Sequence, residues 1–291
     1  MKIVCIPAYN EGSVIKNIVK QCFKYADKVI VCDDGSSDDT AKNARNANAL
    51  VIQHKHNRGK GAALRTIFDF VRKFSPDVVI TFDGDGQFLT KEIPKVMQPI
   101  LDGSADVVIG YRLDNTEMPS YRSFGNKMID KMTNIASDLP FRDTQSGFRA
   151  YSGNVINHIQ FGTDGFGADS EILVNLSSLE LKIVEEPVTV LYDIDNKTST
   201  KNPISHSSEV IVSLIQLVAV KRPLMLLGIP GLVFIILGIA YAIVVMAIFN
   251  DSRYFSIPST LLTLGFLVIG LMMALMSIVL FSINQGFKRR R

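Results

Sequence analysis

The stretch TFDGDGQ, Thr81 to Gln87, sets two carboxylates, Asp83 and Asp85, one residue apart, with a glycine after each. It follows directly on the apolar run DVVI. If Gly84 and Gly86 let the backbone leave a strand here, both carboxylates can turn toward one point. That suits a hard divalent cation that keeps several waters and also holds phosphate oxygens. A calcium loop of the EF-hand type is excluded, because Phe88 stands where that loop needs glycine and Pro94 where it needs its bidentate glutamate. The alternative is a purely structural turn.

Three other stretches share this character: PAYNEGS from Pro7, DDGSSDDT from Asp33 and HKHNRGKGAA from His54 each follow a short apolar run. Three of the four carry carboxylates, more acid than loops that merely solvate a fold would need. NRGKGAA invites a phosphate cradle built from backbone N–H groups and Lys60. It departs from the P-loop pattern, since Gly61 follows Lys60 where Ser or Thr should hold magnesium and His54 stands where the first glycine belongs. A phosphate-facing Lys60 and a simply exposed lysine both fit. His54, His56, His158 and His206 have no spacing that supports a metal-ligand set.

The elements that must position these residues are legible as unbroken apolar runs. KIVCI (2–6), KVIVC (28–32), LVIQ (50–53), DVVITF (77–82) and DVVIG (106–110) read as strands buried on both faces, as a helix-covered parallel sheet requires. Between them, 12–26, 36–48 and 60–74 read as helices, with Val14, Ile15, Ile18, Val19 and Cys22 on one face of the first. This predicts a Rossmann-like α/β layer, in which ligands bind outside the carboxyl ends of the strands. From Tyr121 the pattern becomes a helix to Ser137, a polar loop FRDTQSGFRAYS, a helix over 168–181 and a strand KIVEEPVTVLY.

An apolar fraction of 47% with 20% charged residues excludes disorder, and a net charge of +3 without a basic, aromatic-interleaved stripe gives no support to nucleic-acid binding. Leu224 to Phe249 and Ile257 to Ile283 contain no charged residue, and each exceeds the ~20 residues that cross a bilayer as a helix. The short NDSRYFS turn makes them a hairpin. Lys221 and Arg222 before it and Lys288 to Arg291 after it outweigh Arg253 in the turn, which predicts both termini and the front of the protein in the cytoplasm. The start MKIVCIPAYN lacks the apolar segment of a signal peptide. Cys5, Cys22 and Cys32 read as reduced core cysteines. The expected organisation is a catalytic domain over 1–203, an interfacial helix over 204–222, a membrane hairpin over 223–283 with spans 224–249 and 257–283, and a basic tail over 284–291.

Taken together, PAYNE, VCDDGSSDDT, NRGKGAA and TFDGDGQ, in this order and spacing, resemble the family 2 glycosyltransferases with the glycosyltransferase A fold. IGYR, DTQSGFRAYS, TSTKNP and the two-helix tail are similar to the polyprenyl-phosphate branch of that family, which includes dolichyl-phosphate mannose and glucose synthases. The resemblance implies that Pro7, Tyr9, Glu11, Asp33, Asp34, Lys60 and Asp83 hold the nucleotide of a sugar donor. It implies that Asp83, Asp85 and Gln87 carry Mg2+ or Mn2+ against the diphosphate, where the ion neutralises charge on the leaving group.

The implied acceptor is a polyprenyl or dolichyl phosphate, captured by Arg112, Arg122, Arg149 and a lysine, Lys201 or its rival Lys197; for Arg149 a structural ion pair is the alternative. Asp85, Arg112 and Glu171 are the implied catalytic set. Asp169 and Glu171 fall where sugar-acceptor members carry a base; contact with the donor sugar or capping of a helix are the alternatives. The implied reaction is a single displacement with inversion, with UDP-N-acetylglucosamine or another UDP-sugar as favoured donor and GDP-mannose as runner-up. A catalytically silent membrane scaffold is the reading from another class. Membrane lipid is the further implied partner, and a homo-oligomer is left open.

Overall fold

The computed structural model describes residues 1–113, 120–165, 167–191, 212, 215 and 218–288, with 120–126 and 286–288 described by backbone alone. The chain divides into two compact units, Met1–Leu214 and Ile215–Arg291.

The first unit is built on a seven-stranded sheet. In chain order its elements are β1 (Lys2–Ala8), α1 (Ile15–Cys22), β2 (Lys28–Asp33), α2 (Thr40–Arg45), β3 (Leu50–Gln53), α3 (Lys60–Val71), β4 (Val78–Thr81) and α4 (Ile93–Leu101). They continue with β5 (Val107–Arg112), α5 (Ser120–Ser137), β6 (Arg149–Ser152), α6 (Gly153–Ile156), α7 (Ala168–Leu176) and β7 (Ile183–Val188). The strand order is β3-β2-β1-β4-β6-β5-β7. All pairings are parallel except those of β6, which runs antiparallel to both β4 and β5.

The apolar runs are unbroken because both faces of the sheet are covered. In β1, Val4, Ile6 and Ala8 enter one core with Ile15 and Ile18 of α1. Ile3 and Cys5 enter the other with Leu64, Ile67 and Phe68 of α3 and Ile172 of α7. Successive strand residues point to opposite faces, so a strand between two helical layers has no position left for a polar side chain until it ends. The three cysteines are free and buried in these cores, and burial raises the Cys22 thiol to about 12.

Strand β6 departs from expectation. Arg149–Ser152 lies inside the stretch read as a polar loop, yet it is hydrogen-bonded on both edges in the middle of the sheet. Helix α4 was also not anticipated. The helix expected over 36–48 is confined to Thr40–Arg45, and that over 168–181 ends at Leu176. The interfacial helix expected over 204–222 lies largely outside the described residues.

The second unit contains a π-helical turn, Leu224–Gly228, that runs into α8 (Ile229–Ser252), followed by α9 (Ile257–Lys288). Leu224–Ser252 and Ile257–Gln285 are long and apolar enough to cross a membrane. The two pack closely: a Cβ added to Gly231 would come within 2.9 Å of the Gly270 carbonyl, and one on Gly270 within 2.7 Å of the Gly231 carbonyl. Small residues at such a crossing let two apolar helices gain contact without a hydrophobic driving force.

Candidate active site

Because β2 and β3 extend from one side of β1 and β4 lies on the other, the order in which strands are added to the sheet reverses between the parallel neighbours β1 and β4. The crevice at such a reversal is where open α/β sheets bind ligands. The carboxyl ends of these strands carry the acidic stretches, and strand alternation sorts their side chains.

Asp33 ends β2 two residues after Val31, on the α1 side, whereas Asp34 follows Cys32 on the α3 side. Asp33 is fully buried. Its Oδ1 accepts from the Ser36 amide at 3.1 Å and from the Ser36 hydroxyl. Its Oδ2 is buried and has no partner among the described residues, a condition that buried polar atoms seldom keep and that points to a donor from a ligand. Asp34 is fully engaged. It accepts from the amides of Arg58 at 3.0 Å and Gly59 at 2.7 Å, and from His54 Nδ1 at 2.6 Å. The second His54 nitrogen lies 2.9 Å from the Thr66 hydroxyl. Asp34 thus latches the turn that delivers Lys60 to the start of α3.

The loop after β1 is laced to the loop after β2. Asn10, at φ 58° in the left-handed region, accepts from the Ser37 amide at 2.9 Å and donates its own amide to Ser36 Oγ at 2.9 Å. The Gly12 amide donates to Asp38 at 2.9 Å and the Glu11 amide to Thr40 at 2.8 Å. Pro7 lies in β1 opposite Cys32, and Tyr9 is 37% exposed.

After β4, Asp83 falls on the α3 side, as Thr81 and Val79 do before it. Lys60 Nζ lies 2.8 Å from Asp83 Oδ1 and 3.0 Å from Asp169 Oδ2, joining the first turn of α3, the end of β4 and the first turn of α7. Burial disfavours the Lys60 charge, but Asp169 and Asp83 outweigh it and hold the ammonium above its ordinary pKa. Asp85 Oδ1 accepts the Gln87 amide at 3.0 Å, and the Gln87 carbonyl accepts the Leu191 amide at 2.9 Å.

Negative charge is in excess here. Burial, then repulsion from Asp85, Asp38 and Asp83, pushes Glu11 up to about 8. Burial, then Asp83, raises Asp85 to about 6, against the pull of the Gln87 amide and Lys60. Groups that resist ionisation for want of a countercharge fit a divalent cation. Among the described residues, no three acidic or imidazole groups converge into a complete metal cage.

One residue of the site carries no chemistry of its own. The Asp83 carboxylate lies directly over Gly147, where a Cβ would stand 2.3 Å from both oxygens. Strand β6 brings Gly147 there: Arg149 pairs with Thr81 across the antiparallel ladder, so the residues before β6 lie beside those after β4. In the sequence, only a glycine in a polar loop marks the position.

Glu171 accepts from the amides of Gly162 at 3.0 Å and Thr163 at 2.9 Å, fixing the loop ahead of α7, while Asp169 faces Lys60. Arg112 makes a two-point pair with Asp143, Nε to Oδ2 at 2.6 Å and Nη2 to Oδ1 at 2.8 Å. The pair holds Asp143 below the ordinary carboxylate range despite burial. Arg149 must be corrected from the implied acceptor set. It is fully buried and donates to the carbonyls of Ser146, Thr144 and Asp169 at 2.8 Å each, so its guanidinium is an internal cross-link. The side chain of Arg122, and Lys197 and Lys201 entirely, lie outside the described residues.

Residues 3–159 match the family model of glycosyl transferase family 2. The chain belongs to that family. A UDP-N-acetylglucosamine–dolichyl-phosphate N-acetylglucosaminyltransferase of Methanococcus voltae is 32% identical over 211 residues, covering 64% of this chain and 84% of that one. A dolichyl-phosphate hexose transferase of Haloferax volcanii is 29% identical over 191 residues, covering 64% and 80%. The sheet matches solved glycosyltransferases. Glucosyl-3-phosphoglycerate synthase of Mycobacterium tuberculosis, in complex with Mn2+, UDP-glucose and phosphoglyceric acid, superposes with a TM-score of 0.58 at 20% identity over 75% of this chain and 79% of that one. The family 2 chain therefore carries its acids on a mostly parallel glycosyltransferase A fold.

Proposed function

We propose that this family 2 glycosyltransferase moves a hexose from a nucleotide sugar, favoured as UDP-N-acetylglucosamine or another UDP-sugar, onto a polyprenyl or dolichyl phosphate. The observation that carries the reading is the excess of acid on Glu11, Asp83 and Asp85 at the β1/β4 crevice, in a chain that also has two membrane-length apolar helices. The relatives' names support the acceptor class, and the first of them supports the donor.

On this reading the unpartnered Asp33 Oδ2 accepts an N–H of the nucleotide base, and the exposed Tyr9 ring packs on that base. Asp83 and Asp85 would hold a Mg2+ or Mn2+ ion, which when bound supplies charge neutralisation on the departing diphosphate. Asp169, fixed through Lys60, faces the donor sugar. A phosphate acceptor with a second pKa of ~6 is largely ionised at neutral pH and needs little help from a base. Glu171, spent on two loop amides, then acts by shaping the loop. Arg112, paired with Asp143, would contribute positive charge to capture of the acceptor phosphate, together with Arg122 and Lys197 or Lys201. One displacement, with no covalent enzyme intermediate, inverts the anomeric carbon.

The cationic residues Lys221, Arg222 and Lys288 to Arg291 support a hairpin whose two ends lie in the cytoplasm, with the catalytic unit at that leaflet. The test is nucleotide release by the full-length protein from a panel of UDP- and GDP-sugars with a short polyprenyl phosphate, with and without Mn2+. The expected result is Mn2+-dependent UDP release only when the lipid phosphate is present. GDP release would move the donor to GDP-mannose, and no turnover with any donor overturns the enzyme reading.

A further inference from the structure

Lys60 stands in an unexpected place for a cation. Its ammonium already pairs with Asp83, one of the two acids read as metal ligands, and it is fixed from the other side by Asp169. Only 13% of the Lys60 side chain and 6% of the Asp169 side chain are exposed, so water screens the arrangement little. A divalent ion on the same carboxylate would meet this ammonium at close range, and like charges in a partly buried site repel strongly. The remaining acids offer no alternative cage among the described residues. A diphosphate changes the balance on both counts: its oxygens complete the ion's coordination, and they accept from the ammonium that Asp83 gives up.

We infer that Lys60 is a resident counter-cation that competes with the divalent ion for Asp83 and yields to it only when a nucleoside diphosphate arrives, so that ion and nucleotide enter as interdependent ligands. This rests on the reading of Asp83 and Asp85 as metal ligands. Lys60 also carries two tasks at different times. It holds the end of β4 against α7 before binding, and it neutralises the diphosphate afterwards.

The experiment is Mn2+ binding to the full-length protein in detergent, read from the free-ion electron paramagnetic resonance signal, without nucleotide and with saturating UDP or GDP. The wild type should bind Mn2+ weakly alone and at least about tenfold more tightly with one of the nucleotides. Lys60→Met and Lys60→Gln should each bind Mn2+ alone about tenfold more tightly than the wild type and gain less from nucleotide. Lys60→Arg, which keeps the charge, should behave like the wild type. If one neutral variant loses its cooperative melting transition, the other carries the comparison. Unchanged nucleotide-free Mn2+ affinity in a folded neutral variant overturns the inference, as does a wild type whose Mn2+ affinity is indifferent to nucleotide. A wild type that binds no Mn2+ under any of these conditions overturns the metal reading itself, and the inference with it.

Discussion

Adjacent acids of one strand end have opposite surroundings, and the consequences can be measured. Asp33 keeps an oxygen without a partner, while Asp34 is consumed by two amides and a histidine. Asp34→Asn removes the negative charge and replaces one acceptor oxygen of this part-buried set by a donor, so we expect a stability loss of about 1–3 kcal/mol by chemical denaturation. A raised donor KM should accompany it, because the turn it holds delivers Lys60. Were Asp34 instead a direct nucleotide ligand, donor KM would rise with stability intact. Gly147 makes the complementary case. Gly147→Ala pushes a methyl into the Asp83 carboxylate, and misplacing a reacting group by about 1 Å costs roughly 100-fold in rate. We expect that loss in nucleotide release with a melting midpoint close to wild type. Turnover near wild type would show that the placement of Asp83 is not critical.

At the scale of elements, the loop between α5 and β6 is the part of the site that the sequence conceals. The strands β1, β2 and β4 were legible because a strand covered on both faces must be apolar throughout, and the acids after them were legible because they break that rule abruptly. RAYS obeys a different logic. Among the described residues Arg149 is one of the largest fully buried side chains, tolerated because three carbonyls receive its guanidinium, and no local pattern announces such a partner set. The splitting of Asp33 from Asp34, and of Asp169 from Glu171, was likewise invisible, since it depends on which layer each side chain faces once the sheet is assembled. The cross-link makes a prediction: Arg149→Met strands three buried carbonyls and should cost at least about 3 kcal/mol in stability, whereas an acceptor-binding arginine would leave the melting midpoint unchanged.

Asp130 of α5, which accepts the amide of Thr144 in that loop at 2.9 Å, carries a pH dependence. Burial raises Asp130 from 3.8 to about 6, with Asp143 adding to the rise and Thr144 and Arg112 opposing it. A carboxyl raised in the folded state binds its proton more tightly there than in the unfolded chain. Its contribution to stability is therefore full below pH 4 and lost as pH climbs through 6. Asp143, held low by Arg112, contributes in the opposite direction. Asp130→Asn should remove the first component alone, so the melting difference between variant and wild type should change across pH 4–6 and be flat above 7.

At the scale of the whole molecule, the division into two units separates what each contributes to transfer. Everything that recognises the donor on the proposed reading comes from the first unit. On the same reading the hairpin would contribute location, at the membrane surface where a lipid phosphate presents its headgroup. Its helices carry no charged side chain between Leu224 and Phe249 or between Ile257 and Ile283, which disfavours an ion path of their own. One of the close contacts between them is the Gly231–Gly270 crossing, where each backbone leaves no room for a side chain on the other. Gly270→Leu should splay the hairpin. In membranes or detergent this should raise its susceptibility to protease and lower nucleotide release with a long-chain polyprenyl phosphate severalfold. UDP affinity, measured on the same preparation by calorimetry, should stay at the wild-type value, because none of the residues proposed to bind the donor belongs to that unit. A parallel fall in UDP affinity would show that the two units are energetically coupled and that the hairpin is part of the donor site rather than its anchor.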